Sequence, residues 1–291
     1  MTSPIRPRRS VLYMPGSNPR ALDKARSLPA DGLIFDLEDA VAPDAKETAR
    51  AAVCAALNDG GYGHRETIVR VNSLATPWGY HDLAAAATSG ADVILLPKVD
   101  SADSVRQSLE VLDQAGSPAD LPVWAMMETS LGMLHAEEIA NASPRVTGFV
   151  MGTSDLAKEL QAAHTRLRLP MITALGLCLL AGRAFGLTLL DGVHLDLADD
   201  QGYLESCQQG RELGFDGKTL IHPKQIEAAN KSFAPDDESL AQAEKIIAAH
   251  QTAVAEGKGV VVVDGRLVEN LHVDDAKRQV ALANAIRAIP A

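Results

Sequence analysis

The stretches PVWAMMET (122–129) and VTGFVMGTSDL (146–156) decide how this chain is read. Each is an apolar run of strand length that closes on a carboxylate, Glu128 in the first and Asp155 in the second. Neither alternates apolar with polar residues, which is the pattern of a parallel strand covered on both faces. One strand–helix repeat separates the two acids. In a closed parallel barrel the carboxyl ends of neighbouring strands converge, so the two carboxylates would share one small volume and repel. A hard cation resolves that conflict, because Mg2+ is usually held by one or two carboxylates with water and substrate oxygens in the other positions. Two acids capping the following helices, or two unrelated surface acids, would give the same spacing, and spacing alone leaves these readings open.

Working outward, similar short apolar runs recur at 10–16, 32–39, 67–72, 92–99, 187–193 and 214–222, making eight with the first two. Amphipathic segments at 45–59, 101–116 and 202–214 lie between them. Eight strand-then-helix units in a row predict an α/β fold, a (β/α)8 TIM barrel. A doubly wound open sheet would carry a Gly-rich phosphate loop after its first strand, whereas MPGSNPR (14–20) holds a single Gly. The longest interval, before the seventh run, contains QAAHTRLRLP (161–170) with His164, Arg166 and Arg168, and reads as an elaborated loop on the site face. After Asn230 the pattern changes. Pro235 and the acids Asp236, Asp237 and Glu238 open a helix, GVVVVDGRLVEN (259–270) reads as strand, Asp-Gly turn and strand, and 274–289 is a last amphipathic helix. We therefore expect a barrel over 1–230 carrying the metal and substrate site, and an appended module over 231–291 acting as a lid or subunit clasp.

The chain has 291 residues, 46% hydrophobic and 22% charged, which is ordinary for a soluble globular protein. No apolar run approaches the ~20 residues needed to span a bilayer, and no apolar core follows the basic opening MTSPIRPRRS, so a cytoplasmic location is expected. Cys54, Cys178 and Cys207 show no metal-ligand spacing; Cys54 and Cys178 sit in helical apolar settings and read as buried free thiols. A net charge of −11 argues against nucleic acid as the main partner. The opening is nonetheless basic: six cations up to Arg26 against Asp23 alone leave +5. Arg6 to Arg9 read as a solvated tail. Arg20 and Lys24, one helical turn apart after a Pro-Gly turn, are better candidates for an anion site.

Barrel chemistry sits at the carboxyl ends of the strands. Those positions carry Tyr13, Asn18, Asp36, Glu38, Asp39, Arg70, Asn72, Lys98, Glu128, Asp155, Asp191 and His222. Arg70 stands inside the apolar run TIVRVN, and a buried Arg needs an anionic partner. A salt bridge to Asp36 or Glu38 and a guanidinium fork for a substrate carboxylate both meet that need, and one site can hold both. Lys98 either pairs with these acids or acts as a Schiff-base lysine, and the acid pair accounts for more. His222 reads as a packed strand-end histidine. The absence of HxH or HExxH spacing argues against zinc, and the absence of a GxSxG elbow argues against a hydrolase triad.

Beyond these readings, the segments RSVLYMPGSNPRALDKA, DGLIFDLEDAVAPDAK, IVRVN, DVILLPKV, MMETSLGM, MGTSDLAKEL and GFDGKTLIHPKQIEAAN resemble the citrate lyase β-subunit-like branch of the HpcH/HpaI aldolase superfamily over most of residues 9–230. The tail GVVVVDGRLVEN resembles the lid-bearing form, and within the family the chain is similar to the malyl-CoA lyases and especially to the (3S)-malyl-CoA thioesterase subgroup, which shares the ending LVENLH. The resemblance implies Mg2+, with Mn2+ as the alternative, on Glu128 and Asp155. It implies that Arg70 holds a substrate carboxylate or keto-acid, and that Tyr13 and Lys24 touch substrate or CoA. Asp36, Glu38, Asp39 and Lys98 would support them from behind. Asn18 stands where some lyases carry Arg, which departs from their CoA contact. Glu269 stands where the lyases carry a lid Asp that reaches a neighbouring subunit's site as general acid/base, and a homotrimer or dimer of trimers with lid exchange is implied with it. The extra methylene moves that carboxylate by about one bond, and a ~1 Å misplacement can cost about a hundredfold, which weighs against efficient C–C cleavage. The implied activity is Mg2+-dependent retro-Claisen cleavage of a β-hydroxyacyl-CoA such as malyl-CoA. The alternatives are thioester hydrolysis at the same site, citramalyl- or citryl-CoA cleavage, and the role of a citrate lyase β subunit within a complex.

Overall fold

Parallel strands buried on both faces need helices outside and interdigitating side chains inside. In the computed structural model, which describes residues 5–257 and 260–290, that arrangement is complete. The strands are β1 (Ser10–Pro15), β2 (Gly32–Asp36), β3 (Glu66–Arg70), β4 (Val93–Leu96), β5 (Val123–Met127), β6 (Val146–Met151), β7 (Thr188–Asp191) and β8 (Gly217–Leu220). Each pairs in parallel with the next, and β1 pairs with β8 to close the ring. All eight expected runs supply a strand. The outer helices include Lys46–Asp59, Ala102–Gln114, Ile172–Ala184 and Asp200–Leu213.

Inside the ring, Val11, Ile34, Ile68, Val93, Leu95, Trp124, Met126, Val150 and Leu190 form the core. Trp124, the largest of them, is fully buried. It fits because β6 offers Gly148 opposite, where an added Cβ would stand 2.8 Å from the indole. Below it the Arg8 guanidinium lies 5.3 Å from the ring centroid and donates to Glu66 Oε1 (2.7 Å) and Thr188 Oγ1 (2.9 Å). Arg9 pairs with Asp31 at 2.7 Å. The expectation of a solvated tail is thus corrected for Arg8 and Arg9. They are structural plugs at the amino end of the barrel, because the closed ring leaves Glu66 and Asp31 buried and in need of cations. Cys178 and Cys207 are buried free thiols, while Cys54 is only half-buried.

Arg8–Ser232 form one compact unit, and the second joins the described residues 5–7 to the stretch from Phe233 onward. The second contains helix Asp237–Ala255, an antiparallel hairpin of β9 (Val261–Val263) and β10 (Arg266–Val268), and helix Asn270–Arg287. Asp264 (φ 50°) and Gly265 (φ 78°) make the tight turn that an Asp-Gly pair favours. Gly259, the first residue of the expected 259–270 stretch, lies outside the described residues, as do Lys258 and the termini 1–4 and 291. Val263, Val268 and Val273 form this unit's small core. Among the described residues no helix is long and apolar enough to cross a membrane.

Gly148→Ala is expected to lower unfolding free energy by about 1–3 kcal/mol, the usual cost of overpacking a filled core. Urea denaturation followed by tryptophan fluorescence measures it.

Candidate active site

The site is assembled from the ends of six consecutive strands. Tyr13 comes from β1, Asp36 and Arg70 from β2 and β3, Lys98 and Glu128 from just past β4 and β5, and Asp155 from the first turn of the helix after β6 (Thr153–Glu159). Register sets the first contact, since Asp36 and Arg70 are paired across the β2–β3 ladder. Arg70 Nε and Nη2 each donate to Asp36 at 2.7 Å, one to each oxygen. Its remaining nitrogen, Nη1, lies 2.7 Å from Glu38 Oε2 and 3.4 Å from Asp39 Oδ2. The Tyr13 ring covers the guanidinium at 4.9 Å. Arg70 is therefore the buried salt-bridge residue that the apolar strand demanded.

Asp36 also organises the loop after β2 by accepting the backbone N–H groups of Glu38 (2.9 Å) and Ala40 (3.0 Å). The same loop is held from below by Lys46. Its buried ammonium donates to the carbonyls of Leu37 (2.8 Å) and Glu38 (2.7 Å) and to Asn72 Oδ1 (2.8 Å). Asn72 in turn donates to Asp82, which pairs with Arg50. Sequence reading passed over Lys46 and Asp82. The only available signal was a Lys and an Asp on the buried faces of their helices, visible once the helix phase is known.

Lys98, Glu38, Glu128 and Asp155 converge on one point. Lys98 Nζ is 3.7 Å from both Glu38 Oε1 and Glu128 Oε1 and lies against Asp155 Oδ2. Lys98 adopts a left-handed backbone (φ 52°), and its N–H donates to Glu128 Oε1 at 2.8 Å. Gly152 makes room for Glu128, because an added Cβ would stand 2.4 Å from Glu128 Cβ and 2.6 Å from Oε2. Glu38 Oε2 and Asp155 Oδ2 are buried oxygens without an aligned hydrogen-bond donor, although a cation touches each. No group of three or more His, Cys, Asp or Glu side chains forms a ready cage among the described residues. Two converging carboxylates with spare lone pairs around a single cation position do fit a hard, largely water-filled Mg2+ site.

Burial pushes the Glu38 carboxyl up to about 7, with Arg70 the strongest opposing influence. Burial also raises Glu128, against the pull of Lys98. The Tyr13 phenol is held well above its ordinary value by burial and stays protonated at neutral pH.

Other expected residues lie elsewhere. Asn18 caps helix Pro19–Lys24 by accepting Ala21 N–H, and Arg20 and Lys24 are exposed on that helix. Asp191 is buried against Lys218 (2.7 Å) and Arg168 (2.6 Å). Arg166 pairs with Glu205, so two of the cations in the 161–170 loop serve structural acids. His222 is exposed, not packed, and its Nδ1 accepts the Lys224 N–H at 3.1 Å. The strand had already ended at Leu220, which left His222 free to cap the next turn. Glu269 belongs to the second unit, where it is exposed at the start of helix Asn270–Arg287 and its N–H donates to His272 Nδ1.

A closed eight-stranded barrel with an acid–arginine mouth defines a class of α/β enzymes acting at strand ends. The model of the family described as HpcH/HpaI aldolase/citrate lyase matches residues 9–223, and the chain belongs to that family. It is 53% identical over 291 residues, the whole of both chains, to a protein of Cereibacter sphaeroides (strain ATCC 17025 / ATH 2.4.3) named (3S)-malyl-CoA thioesterase. It is 37% identical over 283 residues to the citrate lyase subunit beta of Leuconostoc mesenteroides subsp. cremoris, covering 96% of this chain and 94% of that one. Among solved structures it is similar to CitE from Mycobacterium tuberculosis in complex with magnesium, acetoacetate and coenzyme A. That match has a TM-score of 0.77 and 31% identity, and covers 94% of this chain and 97% of the other.

Gly152→Ala is expected to displace Glu128 and to cut activity by about a hundredfold with the fold intact, in line with the cost of a ~1 Å misplacement. Steady-state rates beside circular dichroism test this. Glu38 gives a second expectation. Its folded value of about 7 exceeds its ordinary 4.5, so between these the folded state keeps a proton that the unfolded chain has released. The stability this confers is full in acid and is lost as pH rises through the folded value. In chelator, Glu38→Gln should therefore gain stability relative to the parent between about pH 5 and about pH 8. Denaturant midpoints across that range measure it, and parallel curves would refute it.

Proposed function

We propose that this chain is a Mg2+-dependent enzyme acting on a β-hydroxyacyl-CoA thioester of the (3S)-malyl-CoA type. The observation that carries this reading is the convergence of Glu128 and Asp155 on one cation position, with Arg70 paired to Glu38 beside it. Glu128 and Asp155 would hold the ion, and a bound Mg2+ supplies Lewis-acid polarisation of a substrate oxygen. Mn2+ takes the same oxygen donors and is the alternative. Arg70 Nε and Nη2 are committed to Asp36, so Nη1 is the atom offered to a substrate carboxylate. Protonation of Glu38 near neutral pH releases that nitrogen. Tyr13 closes the guanidinium from one side and keeps its phenolic proton for donation. Lys24, exposed on the first helix, is suited to a CoA phosphate as a point charge.

Two bonds of such a substrate are within reach of this chemistry. In hydrolysis, Glu269 takes a proton from water as its oxygen bonds to the thioester carbon. The C–S bond then breaks and sulfur leaves with the electron pair, giving malate and CoA. In C–C cleavage the hydroxyl gives its proton to solvent water, and its oxygen becomes the carbonyl oxygen of glyoxylate. The C–C electron pair becomes the thioester enolate, which protonated Glu269 converts to acetyl-CoA. The 53% identity to a relative named (3S)-malyl-CoA thioesterase favours hydrolysis as the net reaction. The citrate lyase β relatives and the shared barrel mouth keep C–C cleavage as the second reading. In this reading the barrel over 1–230 carries the site, and the module over 231–291 brings Glu269 to a neighbouring subunit of a homotrimer or dimer of trimers in the cytoplasm.

Purified protein with Mg2+ and (3S)-malyl-CoA is expected to release free thiol and malate. Glyoxylate in place of malate would establish the lyase reading. No turnover of any acyl-CoA would leave the role of a subunit in a complex. A Glu128→Ala variant with full activity would overturn the assignment of the ion.

A further inference from the structure

The mouth of the barrel is short of positive charge. Among the described residues, Asp36, Glu38, Asp39, Glu128 and Asp155 share ion pairs with Arg70 and Lys98, and Lys46 adds a third positive charge from beneath the loop after β2. Arg70 is fixed by its bidentate bond to Asp36 and is buried. Lys98 is different. Its side chain is 38% exposed, and its ammonium sits among Glu38, Glu128 and Asp155 at the end of a flexible stem. The anchor of that stem is rigid, because the Lys98 N–H is bonded to Glu128 and its backbone is left-handed. The carboxylate that would hold a divalent ion thus also positions the lysine that touches the other one.

From this geometry we propose that Lys98 is a tethered counter-ion that occupies the divalent-cation position until the metal arrives, so that metal binding is an exchange of one cation for another. The inference rests on the reading of Glu128 and Asp155 as the metal-holding pair. The ammonium lies against an Asp155 oxygen that Mg2+ would have to approach to ~2.0–2.1 Å. Both cations cannot use that oxygen from the same side. The exposed flank of Lys98 gives the displaced stem a way out. The device keeps three carboxylates from repelling one another in the metal-free enzyme and raises the Mg2+ concentration needed to load the site.

Calorimetric titration of chelator-stripped protein with MgCl2 tests the proposal without turnover. If the ammonium fills the position about nine-tenths of the time, removing it should tighten apparent Mg2+ affinity about tenfold, because affinity scales with the competent fraction. Lys98→Met keeps the stem and loses the charge. It should bind Mg2+ more tightly than the parent, and should melt at a lower temperature than the parent in chelator but gain more on adding Mg2+. Lys98→Arg retains a cation and should stay close to the parent; it stands in if the Met variant fails to fold, and tighter binding by the Arg variant would then count against the proposal. Unchanged or weaker affinity in Lys98→Met overturns it, since the lysine would then coexist with the ion. Binding that persists in Glu128→Ala, or is absent from the parent, sinks the metal reading itself and the proposal with it.

Discussion

Carboxylates crowd the open end of this barrel, and their mutual repulsion is the constraint on which the site depends. Parallel closure brings the ends of β2, β4, β5 and β6 into one mouth, so acids far apart in the chain must share it. Ionised groups this close raise one another's proton affinity or recruit cations. Both happen here. Glu38 is pushed towards neutrality, by burial first and by Glu128 and Asp39 in addition, Arg70 takes Asp36 in a bidentate grip, and the Lys98 ammonium bridges the rest. A buried ion pair of this kind is weak evidence for stability. Its value lies in geometry, because it points the remaining lone pairs at one place.

The division of labour within Arg70 follows from register. Facing Asp36 across the β2–β3 ladder, it spends its Nε–Nη2 edge on a neighbour that also orders the following loop. The other edge meets Glu38, whose backbone carbonyl is held by Lys46. One guanidinium therefore serves architecture with one side and is exchangeable on the other. A lysine could not do both, since a single ammonium lacks the planar fork.

Much of the barrel was legible because continuous apolar runs separated by amphipathic helices admit few other folds. Glu128 and Asp155 were legible for the same reason, each standing just past such a run, and Arg70 because a charge inside an apolar strand demands a partner. Less visible was what register and helix phase decide. Lys46 and Asp82 are ordinary surface residue types until their helices turn them inward. Arg8 and Arg9 looked like part of a basic tail because nothing local announces that Glu66 and Asp31 lie buried beside them. Gly152 was one glycine among 22, and its necessity exists only against the Glu128 side chain.

A second buried ionic cluster shows why charge balance, not burial, marks the functional end. Asp191 ends β7, one residue past the inward-facing Leu190, and so points towards the helix layer. There it meets Lys218 and Arg168, and Arg168 continues to Gln209 on helix Asp200–Leu213. Burial alone would raise its proton affinity, yet Lys218 and Arg168 hold the carboxyl below its ordinary value. One acid with two cations has no use for a further positive charge. The mouth, where five acids outnumber Arg70, Lys98 and the underlying Lys46, does. The same fold thus builds one ion cluster that locks the 161–170 excursion to the barrel wall and another whose unmet negative charge asks for a ligand.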